Sequence, residues 1–248
     1  TREDPQLHSL RWMLDNDQEY SGSKLKFHKS TAMFLEKMLP RGSRLQRQEA
    51  YERLLQDLKH PEQASWEIPE TVTASLRPYQ VVGYQWLKTL AHYGMGGILA
   101  DDMGLGKTLQ AIVYICSFPG QKTLIVCPTS LAYNWQDEFQ KFAPSIRTCI
   151  VQGTPEEREE LIAGRQGDYD VWITTYPLIR KDTKSYQQQK YDHIFLDEAQ
   201  FIKNPSSLGA KAVKSIPADN RFALTGTPIE NALSELWSIF DFIMPGFF

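Results

Sequence analysis

The run Asp101-Asp102-Met103-Gly104-Leu105-Gly106-Lys107-Thr108 has the residue types to do chemistry on a phosphate. Small residues let backbone N–H groups turn inward around an anion, and the start of a helix adds partial positive charge at the same place. An apolar stretch at 97–100 leads into the turn, and a helix-like stretch at 109–115 leaves it. Strand, glycine-rich turn, Lys-Thr, helix is the layout of a nucleotide-phosphate cradle. In such a cradle Lys107 reaches the β- and γ-phosphates and the Thr108 hydroxyl serves Mg²⁺. The general pattern is G-x-x-x-x-G-K-[ST], and Asp101 stands where the first Gly belongs. Only the second half of the pattern is matched, so a plain strand-to-helix turn capped by Thr108 is the alternative at this point.

A second segment, His193-Ile194-Phe195-Leu196-Asp197-Glu198-Ala199-Gln200, is apolar and then abruptly acidic. A buried strand ending in two carboxylates needs a cation nearby, because unpaired buried charge is costly. Beside a bound nucleotide that cation is Mg²⁺. Asp197 would hold it, directly or through water, and Glu198 would orient or deprotonate an attacking water. Alone, the two carboxylates could equally cap the next helix; paired with the glycine turn upstream, the metal reading wins. A third segment, Leu224-Thr225-Gly226-Thr227-Pro228-Ile229-Glu230-Asn231, sets hydroxyls beside Gly and Pro. Such a turn can hydrogen-bond a carboxylate or a phosphate, or simply link a strand to a helix.

The elements that must position these turns follow from periodicity. Short apolar runs at 97–100, 123–127, 148–151, 171–174, 193–196 and 221–224 are strand candidates, and helical patterns fall between most of them, as at 131–142 and 155–163. Alternating β and α with nearly continuous apolar strands predicts an α/β fold with a mostly parallel sheet covered on both faces. Ligands of such sheets bind at the carboxyl ends of the strands, where the glycine turn and the acidic turn both fall. Residues 1 to about 60 differ, with mixed charge, few β-branched residues and helical patterns at 32–39 and 43–59. Pro61 and Pro69 mark 61–73 as a linker. The expected division is a mainly helical extension at 1–70 and a nucleotide-binding lobe at 71–248.

Composition narrows the partners. The 248 residues carry a net charge of −3, so no global basic field announces nucleic acid and any such site must be a local patch. Cys116, Cys127 and Cys149 show no C-x-x-C spacing and read as core thiols in a reduced compartment rather than a metal site. No apolar run reaches membrane-spanning length and no signal peptide is visible, so no membrane partner is expected. The first residue is Thr, as expected of a segment cut from a longer chain.

Taken in order, the motifs have a family likeness. They are Leu76-Arg77-Pro78-Tyr79-Gln80 with Gly83-Tyr84-Gln85-Trp86-Leu87; Asp102 to Thr108; Val126-Cys127-Pro128 with Trp135; Thr174-Thr175-Tyr176; Asp197-Glu198-Ala199-Gln200; and Thr225-Gly226-Thr227-Pro228. The set resembles the Swi/Snf family of superfamily-two helicase-like ATPases, from about Leu76 to the C-terminus. Asp101 at the first position of the loop fits that family. Gln200 departs from the more usual His, which bears on γ-phosphate sensing.

The resemblance implies a RecA-like lobe that works with a second lobe, not contained in this chain. Together the two would move along double-stranded DNA and remodel protein–DNA complexes, usually without strand separation. It implies ATP and Mg²⁺ as cofactors. It places Gln80 at the adenine, Met103, Gly104, Leu105, Gly106, Lys107 and Thr108 around the phosphates, and Thr108 and Asp197 at Mg²⁺. Lys107, Asp197 and Glu198 take the catalytic roles. Thr225 and Thr227 couple nucleotide state to the DNA-facing surface. Pro128, Thr129, Ser130, Thr174, Thr175, Lys203 and Asn204 become contacts to the DNA backbone, which position without reading sequence. Simpler readings stand beside these: Thr174 and Thr175 as a strand end, Lys203 as a solvated charge, Trp135 as core. The missing lobe supplies arginines that stabilise the transferring phosphoryl group, so this chain alone is expected to bind ATP weakly and hydrolyse it poorly. Two other functions compete, a nucleotide-regulated interaction module with residues 1–60 as partner surface, and an RNA helicase of the same superfamily. The Asp-Glu-Ala-Gln spelling and compact motif spacing point to a bacterial source, hence the cytoplasmic nucleoid, or the nucleus in a eukaryote.

Overall fold

The computed structural model describes residues 20–21, 24–25, 49–102, 104–226 and 233–245. Contacts divide the chain into two units, Thr1–Lys59 and His60–Phe248. In the first, β1 (Tyr20–Ser21) and β2 (Lys24–Leu25) pair antiparallel, and α1 (Glu49–Lys59) buries Leu54 and Leu55. The helix expected at 32–39 lies outside the described residues.

The second unit is built on a parallel sheet of six strands: β3 (Gly97–Leu99), β4 (Thr123–Cys127), β5 (Thr148–Ile150), β6 (Val171–Thr175), β7 (Tyr191–Leu196) and β8 (Ala218–Leu224). Their spatial order is β3-β8-β7-β4-β6-β5. All six expected strands are present. β4 and β6 are buried at every residue, as a parallel sheet covered on both faces requires.

The helices are α2 (Pro78–His92), α3 (Lys107–Cys116), α4 (Ala132–Phe142), α5 (Pro155–Ile162), α6 (Tyr176–Lys181), α7 (Thr183–Gln187), α8 (Leu208–Lys214) and α9 (Leu233–Ile243). Alternation along β7 decides what each face of the sheet holds. His193 and Phe195 meet the ring of Tyr114 on α3, with centroids 5.1 and 5.5 Å away. Ile194 and Leu196 join the opposite core with Ile179, Val213 and Phe242 from α6, α8 and α9. The proline-bearing segment read as a linker is fastened to this unit. Trp66 Nε1 donates to Thr89 Oγ1 at 3.2 Å, Tyr84 donates to the Glu67 carbonyl at 2.8 Å, and Thr73 N–H donates to the Phe142 carbonyl at 2.9 Å. Prolines break periodicity, but side chains from α2 still hold the segment.

Under the sheet, His193 is wedged between the Tyr114 hydroxyl (3.0 Å) and Gln121 Oε1 (2.6 Å), and burial pushes its pKa down to about 4. The unfolded chain takes up that proton near pH 6.5. Between those values the unfolded state binds more protons, so stability falls as pH drops from about 6.5 towards 4, by on the order of 3 kcal/mol. Urea midpoints at pH 7 and pH 5 check this: His193→Gln should flatten the fall, and an equally steep fall in that variant would contradict it. The cysteines sit as expected of core thiols. All three are buried and free, and burial pushes Cys127 up to about 12.

Candidate functional site

The glycine turn joins the end of β3 to the start of α3. Gly104 (φ 82°) and Gly106 (φ 77°) take left-handed backbone that side chains disfavour. Gly106 is the N-cap of α3 and has no side chain to cap the helix, so the first N–H groups of α3 are left to another acceptor. The Lys107 ammonium is folded into the turn, donating to the carbonyls of Asp101 (2.7 Å) and Asp102 (3.1 Å). Thr108 follows in the first turn of α3. Met103 lies outside the described residues.

The N-terminus of α2 holds this turn from the side. Gln80 is buried; its Oε1 accepts from Arg77 N–H at 2.9 Å, and its Nε2 donates to the Leu105 carbonyl at 3.2 Å and presses on Gly106. The Gln80 amide thus grips the glycine turn, with one N–H and one lone pair left over.

The acidic turn follows β7 on the same sheet edge. Strands β3, β8 and β7 are neighbours, with Leu99 opposite Leu224 and Leu196 opposite Ala223. Their carboxyl ends therefore bring the glycine turn, Thr225 and Asp197 to one place. Asp197 is buried: Oδ2 accepts from Trp135 Nε1 at 2.8 Å and Oδ1 from Glu198 N–H at 2.9 Å. Burial raises the pKa of its carboxyl, and the Trp135 hydrogen bond and the Lys107 charge pull it back. The Glu198 charge raises it further while the Glu198 N–H lowers it, and a cation at this carboxylate would favour the ionised form. Among the described residues no cluster of three or more His, Cys, Asp or Glu side chains could hold a metal alone. One carboxylate and one hydroxyl, Asp197 and Thr108, suit Mg²⁺ that takes its other ligands from phosphates and water.

Glu198 has φ 49°, the one non-glycine with positive φ among the described residues. Such strain gathers at functional turns. Its carboxylate accepts from Gln200 Nε2 at 2.7 Å, and Gln200 Oε1 accepts from Thr225 Oγ1 at 2.9 Å. Gln200, which departs from the usual His, thereby ties the acidic turn to the turn after β8. Spacing alone could not show this bridge. Trp135 is fully buried, as the core reading holds, yet it also fixes Asp197. The signal available in sequence was general: a buried indole N–H needs an acceptor. Tyr176, a motif residue with no role assigned from sequence, donates to the Asp197 carbonyl at 2.7 Å and stacks on exposed Phe201 with centroids 4.9 Å apart.

The expected DNA-facing residues separate into two groups. Thr129 and Ser130 are exposed in a 3₁₀ turn, Thr129–Leu131, with partly buried Pro128 before it. Asn204 is exposed, its Oδ1 accepting from Ser206 N–H and Oγ at 3.0 and 2.7 Å. Lys203 is half-buried, with Nζ 3.7 Å from Glu235 Oε1. Thr174 and Thr175 are both buried at the end of β6, Thr174 completely and Thr175 with 6% of its surface exposed, which suits the simpler reading of a strand end. Thr225 is likewise buried, consistent with a link between turns rather than a surface contact. Thr227 lies outside the described residues.

Comparison with known proteins adds the family. The model of the SNF2-related domain matches residues 6–248, reaching well before the first recognisable motif at Leu76. The TATA-binding protein-associated factor MOT1 of Saccharomyces cerevisiae is 41% identical over 210 residues, 78% of this chain and 11% of that protein. An ATP-dependent helicase of Mycoplasma pneumoniae is 43% identical over 178 residues, 70% of this chain and 17% of its own length. The chain thus spans a small part of the curated relatives it matches. Among solved structures, the Sulfolobus solfataricus SWI2/SNF2 ATPase core in complex with dsDNA superposes with a TM-score of 0.66 at 41% identity, covering 73% of this chain and 38% of that one.

Proposed function

The chain belongs to the SNF2-related domain family, and we propose that it is the first motor lobe of an ATP-dependent translocase on double-stranded DNA that remodels protein–DNA complexes. One observation carries the reading: the glycine turn, Asp197 and Thr225 meet at the carboxyl ends of three adjacent strands. The likeness to an ATPase core in complex with dsDNA supports the DNA partner.

The chemistry falls to named groups. Gly104 and Gly106 aim backbone N–H groups, and Lys107 turns its ammonium from the loop carbonyls to the phosphates. Thr108 and Asp197 would hold Mg²⁺, which when bound neutralises charge on the transferring phosphoryl group. Trp135 keeps the Asp197 carboxylate in place. Glu198, oriented by Gln200, takes a proton from the attacking water. Gln200 passes the state of Glu198 to Thr225. Thr129, Ser130, Lys203 and Asn204 supply polar groups for the DNA backbone. Arginines from a second lobe complete the site and contribute about 10³–10⁵ in rate in related enzymes, so this chain alone turns over slowly.

The test is ATP turnover by the protein carrying both lobes, with duplex DNA, single-stranded DNA or RNA added. Stimulation by duplex is expected; stimulation by RNA alone would overturn the choice of substrate. In the same assay Gln200→Ala should reduce duplex stimulation by about tenfold, the scale of a hydrogen bond to a charged group, with ATP affinity unchanged. Undiminished stimulation would break the proposed link between Glu198 and Thr225.

A further inference from the structure

Two features of the motif set remain without a role, Asp101 in place of glycine and Gly83 inside α2. One buried side chain touches both. Gln110 on α3 is fully buried in the apolar run Ala111-Ile112-Val113. Burying an amide is unfavourable unless it is hydrogen-bonded, and an aliphatic residue would serve packing better. Its Nε2 donates to Asp101 Oδ2 at 3.1 Å and lies 3.5 Å from the Gly106 carbonyl, so one amide touches both ends of the glycine turn. Its Oε1 is buried without a partner and occupies the space where a Cβ on Gly83 would stand. Glycine inside a helix is disfavoured by about 1 kcal/mol, and any larger residue here would displace the Gln110 amide from its seat. Gln80 is one turn earlier on the same face of α2 and grips Leu105 and Gly106.

We infer that Gln110 is a positioning residue for the nucleotide: hydrogen-bonded to Asp101 and seated against Gly83, it fixes the glycine turn to α2 and α3. Asp101 replaces glycine because the Gln110 amide needs an acceptor there. The inference rests on the reading of this turn as the ATP site. Glycines make a loop mobile, and a loop fixed before binding loses less freedom when it closes on the phosphates. Gln110 need not touch ATP to matter.

The experiment is a double-mutant cycle read as affinity for Mg-ATP by calorimetry on this chain, with thermal midpoints recorded alongside. Q110L and D101A should each weaken binding about tenfold, and the double variant should be no weaker than either single, since both break one contact. D101N keeps an acceptor and should stay within about threefold of the parent. A side chain that only fills the core would move the midpoint without this coupling. Parent-like affinity in Q110L, or losses that multiply in the double variant, would overturn the inference. If Q110L does not fold, the D101A and D101N pair decides, and equal affinities overturn it. If the parent chain binds no nucleotide, the reading of the site fails first and this inference falls with it.

Discussion

Replacing Lys107 by Ala is expected to lower ATP turnover by about 10²–10³-fold in the protein with both lobes, the scale of removing one group aimed at developing charge. The ammonium lies among the Asp101 and Asp102 carbonyls, 2.7 and 3.1 Å away, and its charge is felt at Asp197. Lys107 opens α3, where Ala is well tolerated, so the thermal midpoint should stay within a few degrees and separate lost chemistry from lost fold. Lys107→Arg should not rescue, because a planar guanidinium is no substitute for a compact ammonium in a backbone ring. Turnover within about threefold of the parent would sink the assignment of this lysine.

Glu198→Gln should lower hydrolysis by about 10²–10⁴-fold, the range for losing a general base, while ATP affinity is retained. The two readouts part because Gln keeps the size and the hydrogen bond to Gln200 but cannot accept a proton. The backbone adds a second expectation. Glu198 holds φ 49°, a conformation that disfavours non-glycine residues by roughly 1–2 kcal/mol. Glu198→Gly should therefore unfold at higher denaturant concentration than the parent while hydrolysing no better than Glu198→Gln. Strain released on losing the group it serves is the usual trade between stability and activity. A Glu198→Gln enzyme with parental turnover would move the base elsewhere.

How much of this was legible beforehand depends on what each residue has for neighbours in sequence. The six strands were legible because apolar runs cannot hide. Two starts were not: β7 begins at Tyr191 and β8 at Ala218, where Asp192 and then Asp219 and Asn220 interrupt the apolar signal. Arg221 is tolerated there because its guanidinium donates to carbonyls in the segment just before β8, Ile216 among them at 2.5 Å. At the candidate site, what turn chemistry and order made legible was the placing of Lys107, Thr108, Asp197 and Glu198 just after β3 and β7. Trp135, Gln110 and the Gln200 bridge were not, because each acts on a residue 62, 9 or 25 positions away through a contact that only folding creates. The burial of Thr174 was hidden for the converse reason. A strand end beside a binding edge looks the same in sequence whether its hydroxyl faces solvent or core.

The most direct test is titration of ATP into this chain with and without Mg²⁺, read by calorimetry. The account predicts one nucleotide per chain, tighter with Mg²⁺ than without, with the magnesium enhancement lost in Asp197→Asn. Absence of binding, or binding that neither magnesium nor Asp197 alters, would contradict the claim that the glycine turn and the acidic turn form one site.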